Sequence, residues 1–124
     1  MAKVKRLTVS LENQPGRLAA LAKVLADAKV NIEAVLGSTT GVQGSAQLVV
    51  DNVAKAKKAL SAAQFAYTEG TLDRVELRNK AGALADFAAK LGKNGVNIDA
   101  AYGTVPKGAR KSVLLLATSK PVGR

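Results

Sequence analysis

The sequence contains no cysteine, no histidine and no tryptophan. Without cysteine there can be no disulfide framework, no thiolate nucleophile and no zinc–sulfur site. Without histidine, the usual general base and a common metal ligand are also missing. These absences exclude the best-known classes of catalytic and structural-metal protein, and no cofactor or metal is predicted.

Aromatic residues make up only 3% of the 124 residues, and no apolar run approaches the roughly 18–20 residues that a membrane-spanning helix needs. The N-terminus has charged residues followed by alternating apolar and polar residues, whereas a signal peptide would need a continuous apolar stretch there. The expectation is a cytoplasmic protein with no membrane partner. The length allows one ordinary domain or two very small ones, and the apolar fraction of 48% is typical of a globular chain.

The sequence contains an internal repeat, which appears when it is aligned with itself without gaps so that Asn13 falls on Asn79. Matching asparagines and glycines are not explained by a general excess of Ala, Leu and Val, so the repeat predicts a duplicated structure. Besides that pair, the shift matches Val9, Leu11, Gly16, Leu18, Ala19, Ala22, Leu25, Val30, Asn31, Ile32, Ala34, Gly37 and Leu48 with Val75, Leu77, Gly82, Leu84, Ala85, Ala88, Leu91, Val96, Asn97, Ile98, Ala100, Gly103 and Leu114.

Each repeat opens with alternating apolar residues that predict a strand, followed by a turn and a helix with one apolar stripe. A second and a third strand follow in each repeat, joined by hairpins that contain Gly41 with Gly44 and Pro106-Lys107-Gly108. The first repeat continues into a second helical stripe and a fourth strand at Phe65–Thr68. That fourth strand can run into the second repeat without a linker.

The second repeat is predicted to be truncated, because the same shift places Asp51 on Ala117 close to the end of the sequence. The predicted fold class is therefore α+β: two tandem ferredoxin-like βαββαβ repeats, 1–70 and 71–124, the second ending after its third strand. The sheets are antiparallel with helices on one face. A bare sheet edge favours pairing of two chains, and we expect a homodimer.

The run Leu7–Leu18, followed by Leu21, Leu25 and Val30-Asn31-Ile32, resembles the ACT domain family, and so does Val75–Leu84 with Val96-Asn97-Ile98. Together the two copies extend from about Lys5 to Lys120. The resemblance implies ACT-type repeats and a non-catalytic regulatory protein that senses a small molecule, most often an amino acid. It also implies side-by-side pairing of domains with the ligand at the seam, and an enzyme partner that the sequence does not identify.

The resemblance places the ligand site at the first turn and at the start of the second strand. Ala81 stands where the proline of the pattern would be, which weakens the prediction in the second repeat. The implied ligand-binding residues are Asn13, Gln14, Pro15, Gly16, Arg17, Leu18, Asn31 and Ile32, with Asn79, Lys80, Ala81, Gly82, Ala83, Leu84, Asn97 and Ile98.

The chemistry of the turns is compatible with such a site. Gly16 and Gly82 allow close backbone approach at helix N-termini, where free N–H groups attract a carboxylate. A structural interpretation stays open, because an asparagine before a helix is commonly a cap and the glycines can serve the turn alone. Arg17 is either a carboxylate clamp or an exposed charge beside the turn.

Two other functions compete with ligand sensing. An enzyme is not favoured, because the nine acidic residues show no catalytic spacing. Nucleic-acid binding is suggested by the net charge of +10, and the same fold occurs in RNA-binding domains. Those domains stack bases on strand aromatics, however, and the corresponding strands here have none. We therefore do not expect nucleic acid as the partner, and a sensor of small ligands is the preferred prediction.

Overall fold

The computed structural model describes residues 2–119, so the last residues of the predicted second repeat, 120–124, lie outside the described residues. The described chain divides into two compact units. The first unit is 5–70, and the second unit is 71–119 together with 2–4. The elements are β1 (Ala2–Glu12), α1 (Arg17–Asp27), β2 (Ile32–Thr40), β3 (Gln43–Val50), α2 (Val53–Ala62), β4 (Tyr67–Arg78), α3 (Ala83–Lys93), β5 (Ile98–Thr104) and β6 (Lys111–Thr118).

The first unit is an antiparallel sheet covered on one face by α1 and α2. The strand order is β2-β3-β1, and the residue before β4 lies beside β1, where Ser10 N donates to Ala66 O at 3.0 Å. One face of these strands packs against the apolar stripes of both helices, which excludes water from the core. The buried core residues are Leu7, Val9, Leu21, Leu25, Val30, Ala46, Leu48, Val50, Ala56 and Leu60.

The second unit follows the same plan with one helix, α3, among the described residues. Its strand order is β4-β6-β5, so the apolar strand β6 has a neighbour on each side, as the sequence predicts for a central strand. The core is smaller, with Val75, Leu91 and Leu116 buried. Asp73 is also buried and pairs with Lys3, whose Nζ lies 2.8 Å from its carboxylate.

The three helices end in the same way. Lys29, Gln64 and Gly95 each adopt a positive φ just beyond a helix, and the next residue donates its backbone N–H back into the last turn. Val30 N, for example, reaches Leu25 O at 2.9 Å. This left-handed C-terminal motif satisfies carbonyls that the helix leaves free. The sequence signal is strong only at Gly95, because lysine and glutamine rarely mark such a position.

Strand register corrects one part of the repeat alignment. Leu7 pairs with Leu48 in the first unit, and the equivalent residue Asp73 pairs with Leu116 in the second. Leu48 therefore corresponds to Leu116, and the prediction that it corresponds to Leu114 is wrong. The prediction that Asp51 corresponds to Ala117 is wrong for the same reason, because the hairpin between β5 and β6 is two residues longer than that between β2 and β3.

Other irregularities are shared by the two units. The β2–β3 register shifts between Ile32 and Ala34, and the β5–β6 register shifts at the matching residues Ile98 and Ala100. A bulge changes the face of the sheet on which the following residues lie, so two bulges at equivalent residues are seldom a coincidence.

β4 is one continuous strand that contributes residues to both units, as predicted for a chain without a linker. No helix among residues 2–119 is long and apolar enough to cross a membrane.

Candidate functional site

The turn between β1 and α1 is held in a left-handed conformation at Gly16. The φ angle of Gly16 is 86°, a value that residues other than glycine adopt only at an energetic cost, and Gly16 lies directly before α1. No side chain in the described chain caps α1, so the capping role that the sequence left open for Asn13 is not found. Asn13 instead donates its amide Nδ2 to Gly41 O at 2.8 Å, and its backbone N–H reaches Val42 O at 3.0 Å. It therefore ties the turn to the β2–β3 hairpin.

The turn between β4 and α3 has the same construction. Gly82 has a φ of 90°, and no side chain of the described residues caps α3. Asn79 donates its Nδ2 to Ala109 O at 2.8 Å and its backbone N–H to Arg110 O at 2.8 Å. The repeated asparagine is thus a clamp between a strand–helix turn and a hairpin, and this contact forms one end of a cleft in each unit.

The first cleft lies between the β1–α1 turn and the β2–β3 hairpin. Its volume is about 340 Å³. The side chain of Leu18 is 55% exposed at its rim, which is unusual for a large apolar residue on the first turn of a helix. The lining residues are Leu11, Glu12, Asn13, Gln14, Arg17, Leu18, Gly37, Ser38, Thr39, Gly44, Ser45 and Ala46.

The second cleft is built from the equivalent residues of the second unit. Every lining position has its counterpart, once the longer hairpin is allowed for. The lining residues are Leu77, Arg78, Asn79, Lys80, Ala83, Leu84, Gly103, Thr104, Val105, Ser112, Val113 and Leu114. Leu84 is 56% exposed, as Leu18 is in the first cleft. Two surface openings that coincide residue by residue follow from the duplicated fold and not from chance packing.

The second cleft is smaller, about 210 Å³, and its lining explains why. Leu114 stands where the first cleft has Ala46, so a larger apolar side chain occupies part of the space. Gly103 shows the same crowding, since an added Cβ there would meet Val113 O at 2.5 Å. The equivalent Gly37 has open space around that position.

Arg17 distinguishes the first cleft. Its guanidinium carbon lies 5.2 Å from the centre of the Phe65 ring, a distance that allows a cation–π contact. Its Nε is buried and has no hydrogen-bond partner among the described residues. The guanidinium therefore lies against the ring and forms no ion pair with a carboxylate among the described residues. The second cleft has Ala83 at this position and no arginine–aromatic pair among its described residues.

The structure brings only part of the predicted site residues to these clefts. Four from each repeat line them: Asn13, Gln14, Arg17 and Leu18, with Asn79, Lys80, Ala83 and Leu84. Four in the turns do not: Pro15, Gly16, Ala81 and Gly82. These last residues shape the turn without lining the space.

The asparagines at the second strand lie elsewhere. Asn31 donates its backbone N–H to the Asp51 carboxylate at 2.9 Å, and Asn97 donates to the Ser119 hydroxyl at 2.9 Å. At roughly 3.3 Å per strand residue, Asn31 is about 20 Å along β2 from Gly37. These asparagines do not line the clefts. The same holds for Ile32 and Ile98, which pack against the cores of their units.

The hairpin wall of each cleft was not predicted. In the first unit it comprises Gly37, Ser38, Thr39, Gly44 and Ser45. The match of Gly37 with Gly103 was a usable signal, because a repeated glycine inside a strand marks a place where something approaches closely.

The ACT domain family matches residues 5–61 of the chain. Among solved structures, a protein from Bacteroides thetaiotaomicron is 28% identical with a TM-score of 0.89, and the alignment covers 95% of this chain and 81% of that one. No curated protein matches the sequence significantly.

Two regulatory subunits of aspartate kinase share the fold. The ligand-free subunit from Thermus thermophilus is 14% identical with a TM-score of 0.67, covering 92% of this chain and 82% of that one. The subunit from Thermus flavus is 16% identical with a TM-score of 0.61, covering 93% and 85%. The ACT domain match is thus confined to residues 5–61, within the first unit, and the two structures of low identity show a shared fold.

Proposed function

We propose that the chain is a non-catalytic regulatory protein made of two tandem ACT-type repeats, 1–70 and 71–124, which binds a small ligand of the amino-acid class. The observation that carries the proposal is the pair of equivalent clefts beside the glycine turns. Duplication has kept the turn glycine, the asparagine clamp and an exposed leucine at the rim in both units. The fold is shared with regulatory subunits of aspartate kinase, and the regulatory role is carried over from them as part of the proposal.

The first cleft offers a cation for the carboxylate of an amino acid. Arg17 lines it and takes part in no ion pair among the described residues. A guanidinium recognises a carboxylate through charge-assisted hydrogen bonds. Leu11 and Leu18 add apolar surface for a side chain. The proposed binding set in this unit remains Asn13, Gln14, Pro15, Gly16, Arg17, Leu18, Asn31 and Ile32.

Pairing of two chains would bring the separated parts of the proposed site together. β2 and β5 each pair on one side only within the described residues, so each leaves a strand edge for a second copy. Val35 on β2 is 52% exposed, which adds apolar surface at that edge. In a side-by-side homodimer, Asn31 or Asn97 of one copy can complete a cleft of the other. Sedimentation velocity should give a dimer, and a monomer at all concentrations would contradict this part of the proposal.

The ligand is best sought by thermal shift of the dialysed protein with each of the twenty amino acids at millimolar concentration. A ligand that binds only the folded state must raise the melting temperature. If none of the twenty does so, an amino-acid sensor is contradicted. Gly37→Val supplies the structural test, because its side chain extends into open space beside the first cleft and suits a strand.

We expect Gly37→Val to abolish the shift without lowering the melting temperature of the free protein. Gly92→Ala in α3 is the matched control, since its added carbon also meets open space and it lines neither cleft. It should retain the full shift. A ligand response that survives Gly37→Val would place the site elsewhere.

A further inference from the structure

The walls of the two clefts differ in one consistent direction. At one position of the second cleft a cation is lost, at another a methyl group replaces a hydroxyl, and at a third a larger apolar side chain stands. The equivalences follow from strand register and from the matching turns. The residues are Arg17, Thr39 and Ala46 in the first cleft, and Ala83, Val105 and Leu114 in the second.

The apolar side chains of the second cleft lie together. Strand alternation places Leu77, Val105 and Leu114 on the face of the sheet that α3 covers, where Leu77 and Leu114 pack against the core. Leu84, on the first turn of α3, lines the cleft from the helix. Leu84 is 56% exposed and Val105 is 40% exposed, so both leave apolar surface in water. A ligand with an aliphatic body removes that surface from water when it binds.

The polar side of the second cleft suits an anion. Lys80 lines the cleft and forms no ion pair with an acidic side chain among the described residues. Arg78 and Thr104 also border it, but alternation directs their side chains to the opposite face of the sheet. Ser112, where the first cleft has Gly44, adds a hydroxyl that can donate a hydrogen bond. Within the described part of the chain no acidic residue lines this cleft, so an ammonium group would meet no carboxylate.

We infer that the second cleft binds a short aliphatic monocarboxylate that carries no ammonium group. Its chain lies against Leu77, Leu84 and Leu114, and its carboxylate is bound by Lys80. The volume of about 210 Å³ favours a compact molecule. The inference rests on the proposed function in taking both clefts as ligand sites, and it assigns the second cleft a ligand class different from the amino acid proposed for the first.

The test is amide NMR of the full chain titrated with 4-methylpentanoate, leucine and acetate. The first two share one carbon chain and differ by the amino group. 4-Methylpentanoate should move the signals of Lys80, Ala83 and Ser112. Acetate keeps the charge without the chain and should bind there at least about tenfold more weakly. Leucine should also bind there more weakly, because its ammonium group loses water without gaining a carboxylate.

Two substitutions that copy residues of the first cleft test the two ends of the ligand. Val105→Thr keeps the shape of the side chain and places a hydroxyl in the apolar wall, so it should weaken 4-methylpentanoate about threefold or more. Lys80→Gln should weaken it roughly threefold through the lost charge. Val42→Thr and Lys58→Gln are the matched controls, since both change exposed residues that line neither cleft. They should leave the affinity unchanged.

The outcomes separate this inference from the proposed function. If amino acids move signals around Asn13 and 4-methylpentanoate moves none around Lys80, the inference is wrong and the amino-acid sensor stands. If 4-methylpentanoate binds beside Lys80 and no amino acid binds the chain, the inference stands and the sensor fails. Leucine bound at the second cleft as tightly as 4-methylpentanoate would overturn the inference, and so would equal losses of affinity in the cleft variants and their controls.

Discussion

The two units carry the same cleft on the same scaffold and differ in what fills and surrounds it. The first is roomier and has Arg17 at its edge, while the second is narrowed by Leu114 and has Ala83 at the position of Arg17. The shared parts are those that hold the backbone: the turn glycine, the asparagine clamp and the strand bulge. Duplication has thus preserved the frame and left the lining free to diverge, which is how one fold supports different ligands.

The largest expected difference concerns the position that is Leu7 in the first unit and Asp73 in the second. Lys3→Met leaves the buried Asp73 carboxylate without its cation, and we expect a loss of about 2–3 kcal/mol in the free energy of unfolding. Lys3→Met combined with Asp73→Leu rebuilds the apolar arrangement of the first unit and should recover most of that loss. Urea denaturation measures both variants. If the Lys3→Met variant is as stable as the parent protein, the Lys3–Asp73 ion pair contributes little to stability.

The two cleft glycines should respond oppositely to the same substitution. Gly103→Ala forces a Cβ against Val113 O, and we expect a loss of about 1–3 kcal/mol, because the clash is with backbone. Gly37→Ala meets open space and should be neutral, or stabilising by about 0.4–1 kcal/mol through the unfolded chain. Paired thermal denaturation compares them. Equal losses would mean that the clefts are more alike than their linings indicate.

The smallest effect is a pH dependence at the Lys57–Glu69 ion pair of the first unit. The hydrogen bond from Lys57, followed by its charge, lowers the pKa of Glu69 below its usual 4.5, and the same hydrogen bond raises the pKa of Lys57 above 10.5. The Glu69 contribution is present above its ordinary pKa and is lost as the pH falls through the lowered value. The Lys57 contribution is lost as the pH rises through the raised value.

Glu69→Gln should therefore lower the melting temperature slightly at neutral pH and leave it unchanged once the pH is well below 4.5, where the parent carboxylate is protonated too. Melting curves from acid to neutral pH test this. A constant difference between parent and variant at every pH would attribute the effect to packing instead of charge.

The helices and strands were predictable because apolar residues recur at regular spacings, and because the two repeats support the same assignments. The α1 stripe with Leu21 and Leu25 is buried as expected, and so is the α2 stripe with Ala56 and Leu60. The third-strand alignment failed because an ungapped shift cannot detect a hairpin that is two residues longer. Hydrogen-bond register, which placed Leu116 opposite Asp73, was needed to find it.

The sequence anticipated the lining of the clefts only where that lining is local in sequence. Asn13, Gln14, Arg17 and Leu18 are consecutive or nearly so, and a turn with its glycine is visible in one stretch. The hairpin wall is contributed by Gly37–Thr39, more than 20 residues later, and only the pairing of strands places it beside the turn. The roles of Arg17 and Asn13 depended on Phe65 and Gly41, which no spacing rule connects with them.

The extra length of the β5–β6 hairpin has a consequence for how such a domain can change. The additional residues lie in the turn and not in the paired part of either strand, so the β5–β6 pairs correspond to the β2–β3 pairs of the first unit. A turn residue is not extended, so an insertion there does not change the face on which later strand residues lie. A library of loops of every length, selected for folding, should therefore recover odd as well as even lengths.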